Sequence, residues 1–70
     1  MNVAETVKKA ARNANDAITR AEDLDACVSQ DWEDEATVFR FNDDSHLVVS
    51  GRNVYAFPDF NDVLLQFPNA

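Results

Sequence analysis

Thr37-Val38-Phe39-Arg40-Phe41-Asn42-Asp43-Asp44-Ser45-His46-Leu47-Val48-Val49-Ser50-Gly51-Arg52-Asn53-Val54-Tyr55-Ala56-Phe57 is the stretch that decides the fold. Three short runs in it, Thr37 to Phe41, His46 to Ser50 and Asn53 to Phe57, alternate with a period of two and are separated by turn-forming residues. That pattern predicts an antiparallel β-meander. Gly51-Arg52 suits a two-residue type II′ loop, which pairs Val49 with Val54 and Leu47 with Ala56. A three-residue loop of Asp43-Asp44-Ser45 puts Phe41 opposite Leu47 and Phe39 opposite Val49, so both hairpins share one inner face. The outer face then carries Val38, Arg40, Val48, Tyr55 and Phe57. It is half apolar, so either a second element covers it or it is an interface.

Downstream, Pro58 ends the last strand and Asp59, with Asp62 three positions on, restarts a helix. Phe60, Val63, Leu64 and Phe67 follow at i, i+3, i+4 and i+7, a stripe that packs on the sheet until Pro68 stops it. Upstream, residues 3 to about 24 read as one helix with Asn2 as N-cap and Glu5 completing a capping-box pattern. Its seam has two rows, Val3, Ala10, Ala17, Leu24 and Val7, Ala14, Ala21, Val28, widened by Ala4, Ala11 and Ile18. Glu5–Lys9 and Asp16–Arg20 are favourable i,i+4 pairs on its exposed face. The helix ends between Leu24 and Ser29, with Ala26-Cys27-Val28 either a last turn or an extended piece. The expected architecture is α+β: a long N-terminal helix, a three-stranded antiparallel meander and a short C-terminal helix, all in one small acidic domain over residues 1–70.

Charge is distributed unevenly. Glu22, Asp23, Asp25, Asp31, Glu33, Asp34 and Glu35 fall within fourteen residues that hold no Lys or Arg, and the chain's formal net charge is -7. The remaining residues balance acid against base, so the whole excess lies in that run. Such a field attracts basic surfaces over about 8 Å at physiological salt. The plainer reading is a solvated connector that keeps a small domain soluble. Trp32, the large apolar residue of the run, either anchors it to the sheet or faces a partner.

Composition excludes several classes. Nucleic acid as a direct ligand needs clustered Lys and Arg, which are lacking. No run approaches the roughly 20 apolar residues of a membrane span, and no signal-peptide pattern is present, so a cytoplasmic protein that leaves membranes alone is expected. A lone cysteine, Cys27, makes an internal disulfide impossible and suits a reducing compartment. Catalysis lacks a constellation: Ser45 and His46 are adjacent on a strand and point to opposite faces, and His46 reads as a capping or surface histidine. One glycine cannot build a phosphate cradle. Asp31, Glu33 and Glu35 lack the EF-hand spacing. No enzyme activity, metal or cofactor is expected.

Trp32-Glu33-Asp34-Glu35, then Phe41-Asn42-Asp43-Asp44-Ser45-His46-Leu47-Val48-Val49-Ser50-Gly51, then Tyr55-Ala56, resembles the central part of a type I-F anti-CRISPR family of acidic phage proteins. That family shows a Trp followed by two acids, an acidic Phe-to-Gly hairpin and a Tyr-Ala pair after an Ala-rich first helix, so the likeness extends in layout over residues 3 to 57. It implies a DNA mimic that sits on the basic DNA-entry surface of a type I Cascade surveillance complex in the host bacterial cytoplasm. Glu33 and Glu35 match the acids after the family's Trp and would meet Lys or Arg of the effector. The family's long acidic C-terminal helix is replaced here by the apolar Phe60-to-Phe67 helix. Partner-binding candidates are accordingly Glu22, Asp23, Asp25, Asp31, Glu33, Asp34 and Glu35, with Asp43 and Asp44 at the hairpin tip and Asp59 and Asp62 as extensions. A monomer that binds a basic protein is expected. The alternative is a small homo-oligomeric structural or regulatory protein that uses the Ala-rich seam and the outer sheet face of Val48 and Tyr55.

Overall fold

Each helix among the described residues starts on the same device, an Asn or Asp side chain that accepts the backbone N–H three residues on and so satisfies one orphan donor of the first turn. The computed structural model describes residues 1–32 and 36–68. In it Asn2 opens α1 (Val3–Ala10), Asn13 opens α2 (Ala14–Asp23) and Asp59 opens α3 (Phe60–Gln66). The cap bonds are 2.8 Å to Glu5, 2.9 Å to Asp16 and 2.9 Å to Asp62.

The middle cap corrects the sequence reading. Instead of one helix to about residue 24, the chain leaves helical geometry at Ala11, where ψ is 138°, and restarts after Asn13. Asn13 gives its oxygen to Asp16, and the Asp16 carboxylate accepts from the Arg12 N–H at 2.9 Å and from Arg20 Nε at 2.9 Å. The kink has a packing consequence. Two short helices lie on one sheet face and bury Ala4, Val7, Ala17 and Ala21 against Phe39, Phe41, Leu47 and Val49. Ala10, Leu24 and Val28, which a straight helix would align in its seam, are exposed.

The sheet has four antiparallel strands in the order β1 (Cys27–Trp32), β2 (Thr37–Phe41), β3 (His46–Ser50), β4 (Asn53–Phe57). The three-stranded meander is present with the expected bounds, and the fourth strand is the correction. Cys27 pairs with Phe41 and Ser29 with Arg40, with a bulge at Val28, and the ladder continues to Trp32 opposite Thr37. Apart from half-buried Cys27, every β1 residue is exposed. Backbone pairing rather than side-chain burial holds this strand, so it carries no period-two signal.

Register in the first hairpin differs by two residues from expectation. Phe39 faces Leu47 and Thr37 faces Val49, while the Phe41 N–H donates to Ser45 O at 2.9 Å. The loop is therefore Asn42–Asp44, with Asp44 in the left-handed region at φ 67°; a short polar side chain tolerates that conformation, and such a residue commonly closes a three-residue hairpin. A shift of two preserves face parity, so the inner face keeps the same residues. The second hairpin pairs Val49 with Val54 and Leu47 with Ala56 as expected, around Gly51 at φ 59°.

On the opposite face α3 seats Val63 against Val38 and Val48. Phe67 meets Tyr55 and Phe57 edge-on, with ring centroids 5.3 Å and 6.3 Å apart. The outer sheet face is thus partly covered by the chain's own last helix. Full burial of Phe39, Phe41, Leu47 and Val63 contributes about 1.5–3 kcal/mol each. Among the described residues no helix is long and apolar enough to cross a membrane.

Candidate acidic surface and groove

The acidic run is divided by the fold. Glu22 and Asp23 end α2 and Asp25 lies in the turn that leads to β1, all three exposed. Cys27 N–H to Leu24 O at 3.0 Å and Asn42 N–H to Ala26 O at 2.8 Å tie that turn to the sheet. Asp31 lies further along, on β1 opposite Val38, and so shares the face that α3 partly covers. Glu33, Asp34 and Glu35 lie outside the described residues. Trp32 presents its ring to Phe39 in a T-shaped contact at 6.2 Å and donates from Nε1 to Gln30 Oε1 at 3.3 Å, yet it is 59% exposed. It touches the sheet and still faces solvent.

The two hairpin acids have different surroundings. Asp43 accepts from the Val3 N–H at 2.9 Å, from the Ser45 N–H at 3.0 Å and from the Ser45 hydroxyl. Ser45, fully buried, accepts in turn from the Ala4 N–H at 3.1 Å through its hydroxyl oxygen. The Ser45 hydroxyl, and after it the Val3 N–H, hold the Asp43 carboxyl below its ordinary 3.8. Both oxygens of Asp43 thus have work inside the chain, joining the hairpin to the start of α1. Asp44 instead pairs with Arg40 at 3.2 Å in an exposed bridge of small energetic value. Asp16, which was no site candidate, resembles Asp43: Arg20, then the Arg12 N–H, lower its carboxyl from 3.8.

Asp31 and Asp44 converge on a groove of about 460 Å³ that runs across β1, β2 and β3 to the start of α3. Asp59 and Phe60 form its α3 side, and Val38, Arg40 and His46 belong to the sheet side. The sequence reading held Asp59 only as an extension of the acidic surface, and it placed neither Phe60 nor His46 in a site. His46, read as a capping or surface histidine, is 5% exposed. Its ring lies 5.4 Å from that of Phe60, and its Nδ1 is buried with no hydrogen-bond partner among the described residues. An alternating strand predicts that His46 shares a face with Val48, but the ring of Phe60 folding over it depends on where α3 lands. Glu22, Asp23 and Asp25 are not part of this groove's lining.

Among the described residues no three His, Cys, Asp or Glu side chains are grouped to hold a metal ion. The chemistry that the surface offers is accordingly that of dispersed carboxylates on a folded body: hydrogen-bond acceptance and charge pairing with cationic groups. Comparison with known protein families, with curated proteins and with solved structures finds no match.

Proposed function

We propose that this chain is a non-enzymatic inhibitor of the anti-CRISPR kind, which presents carboxylates in place of duplex phosphates to the basic DNA-binding surface of a type I surveillance complex. Its site of action in that reading is the host bacterial cytoplasm. The observation that carries the proposal is the mounting of Asp31 on a paired strand, in one groove with Asp44 and Asp59. Carboxylates fixed in this way engage Lys and Arg without the ordering cost that a disordered acidic tail incurs. The resemblance of the Trp32-to-Gly51 stretch to acidic phage proteins supplies the class of partner, and the charge of -7 supplies its sign.

The test is capture of target duplex by a type I-F complex with and without the protein. Wild type is expected to reduce capture, and a variant with Glu33, Asp34 and Glu35 all changed to Lys is expected to leave capture intact while retaining its circular dichroism spectrum. Undiminished capture in the presence of excess wild type overturns the proposal.

A further inference from the structure

We infer that the open edge of β1 docks an extended segment of the basic protein partner as a fifth strand, antiparallel to β1; the inference rests on the reading just given for that partner and names how its backbone is gripped. The main chain carries the argument. Antiparallel neighbours alternate between residues that direct their N–H and C=O groups toward each other and residues that direct them away. The Phe41 N–H donates to Ser45 O at 2.9 Å, so Phe41 turns toward β3, whereas the Asn42 N–H donates to Ala26 O at 2.8 Å on the other side. By the same alternation Arg40 and Val38 turn toward β1, where they stand opposite Ser29 and Asp31. Gln30 and Trp32 point the other way. Their N–H and C=O groups look outward from the sheet, and among the described residues no strand lies beyond β1 to pair with them.

The side chains say what kind of strand fits. The shift of register lies between Cys27 and Ser29, and from Ser29 to Trp32 the pairing is regular, so this part of the edge is an ordered template. Asp31 stands on the α3 face, opposite Val38, while Gln30 and Trp32 stand on the face of α1 and α2, opposite Phe39 and Thr37. Trp32 is 59% exposed and its ring meets that of Phe39 on this face. A strand laid along Gln30 and Trp32 therefore sets apolar residues beside the indole and a residue of its other face beside Asp31. Charge decides that residue. Exposed Glu22, Asp23 and Asp25 precede the strand, Asp31 lies in it, and Glu33, Asp34 and Glu35 follow in sequence. A Lys or Arg is favoured opposite Asp31, and a second copy of this chain, acidic at the same place, is not. The occupant is thus a segment in which apolar and basic residues alternate. Strand addition suits such a segment, because main-chain bonds provide the hold and alternate side chains the selection.

The experiment titrates the isotope-labelled full chain with three synthetic heptapeptides of alternating lysine and valine, equal in charge: the parent, one N-methylated at every valine and one N-methylated at every lysine. In the inferred register the valines stand opposite Gln30 and Trp32 and turn their N–H groups to β1. Valine methylation is therefore expected to abolish binding, whereas lysine methylation, on N–H groups that point away, is expected to leave affinity within about twofold of the parent. Equal affinity for all three peptides means attraction by charge alone and overturns the inference. Hydrogen exchange followed by NMR is expected to show the parent peptide slowing the Gln30 and Trp32 amides about tenfold, while Ser29 and Asp31, already bonded to β2, do not change. Unaltered exchange at Gln30 and Trp32 overturns it too, as does slow exchange there in the free chain together with the sedimentation mass of a dimer, which gives the edge to a second copy. Q30P removes an outward N–H without touching the ladder to β2 and is expected to bind the parent peptide at least about tenfold more weakly. The methylated peptides decide the matter if Q30P fails to fold. The effector assay separates the two claims: Q30P that blocks duplex capture as well as wild type removes the edge as the gripping element and leaves the inhibitor reading in place, whereas wild type without effect on capture, with the peptide results as expected, removes the inhibitor reading and leaves the edge.

Discussion

The carboxylate of Asp43 accepts a hydrogen bond from the Val3 N–H at 2.9 Å, across forty residues of sequence. With Ser45, which receives the Ala4 N–H at 3.1 Å, it gives α1 a second set of acceptors from the β2–β3 hairpin, beside the local cap from Asn2. The hairpin and the first helix are therefore joined by the polar groups that each would otherwise leave unmet. Asp43→Ala is expected to destabilise the protein by about 1–2 kcal/mol, in the range of a lost helix cap. Ser45→Ala is expected to cost about 1–3 kcal/mol because it strands the buried Ala4 N–H. Urea unfolding followed by far-ultraviolet circular dichroism measures both; a midpoint unchanged in either variant contradicts the clamp.

Stability should fall in acid through the same group. The folded-state pKa of Asp43 is lowered from 3.8, chiefly by the Ser45 hydroxyl and then by the Val3 N–H. A depressed carboxyl pKa contributes stability that is fully present above the unfolded value and is lost as pH falls through 3.8 toward the folded value. Asp16, held by Arg20 and the Arg12 N–H, acts in the same direction. Unfolding midpoints should be flat from neutral pH down to the upper edge of that window and then decline. Asp43→Asn should flatten the decline.

Val63 carries the attachment of α3, being fully buried against Val38 and Val48. Val63→Ala is expected to cost about 1–2 kcal/mol from lost burial and the void left behind. The effect should be local. Hydrogen exchange is expected to quicken over Phe60–Gln66 and to remain slow at Val7 and Leu47, and uniform loss of protection would show that α3 unfolds only with the whole domain.

Trp32 reports on the electrostatic surface. It is 59% exposed, follows Asp31 and directly precedes Glu33, Asp34 and Glu35 in sequence. A local negative field concentrates cations and repels anions over roughly a Debye length. Caesium should therefore quench Trp32 fluorescence more efficiently than iodide at low ionic strength, and added sodium chloride should narrow the gap. Equal quenching by the two ions at low salt would mean that the field at the indole is weak.

Gly51 lies at φ 59° with no atom within 4 Å of where a Cβ would stand. Gly51→Ala therefore meets no steric clash with neighbours and should lose about 1 kcal/mol through backbone conformation alone. Gly51→Asn should lose less, and chemical denaturation distinguishes the two.

Much of the fold was legible because burial and periodicity coincide in it. β2, β3 and β4 alternate faces between two helical layers, so Phe39, Leu47 and Val49 announce themselves by spacing. Pro58, Asp59 and Pro68 bracket the last helix just as clearly. The fourth strand was illegible for the converse reason: Val28 through Trp32 are exposed, and a strand held by backbone pairing leaves little trace in side-chain pattern. The break between α1 and α2 did leave a trace, since Asn13 and Asp16 repeat the spacing of Asn2 and Glu5, but the alanine periodicity ran across it. At the candidate site, Asp31 and Asp44 were legible as charges. The burial of His46 under Phe60 was not, because it depends on how α3 crosses the sheet, and Asp43 looked like a surface acid until its partners at Val3 and Ser45 were seen.

β1 stands at the margin of the sheet, with β2 as its strand neighbour. A margin of this kind invites a second copy to extend the ladder, and charged side chains are among the devices that discourage it. With Asp31 on the strand and Glu33, Asp34 and Glu35 next in sequence, two such margins brought together would repel each other. The acids of this margin thus act as guards against fibre-like self-association, and neutralising them should be felt first as lost solubility.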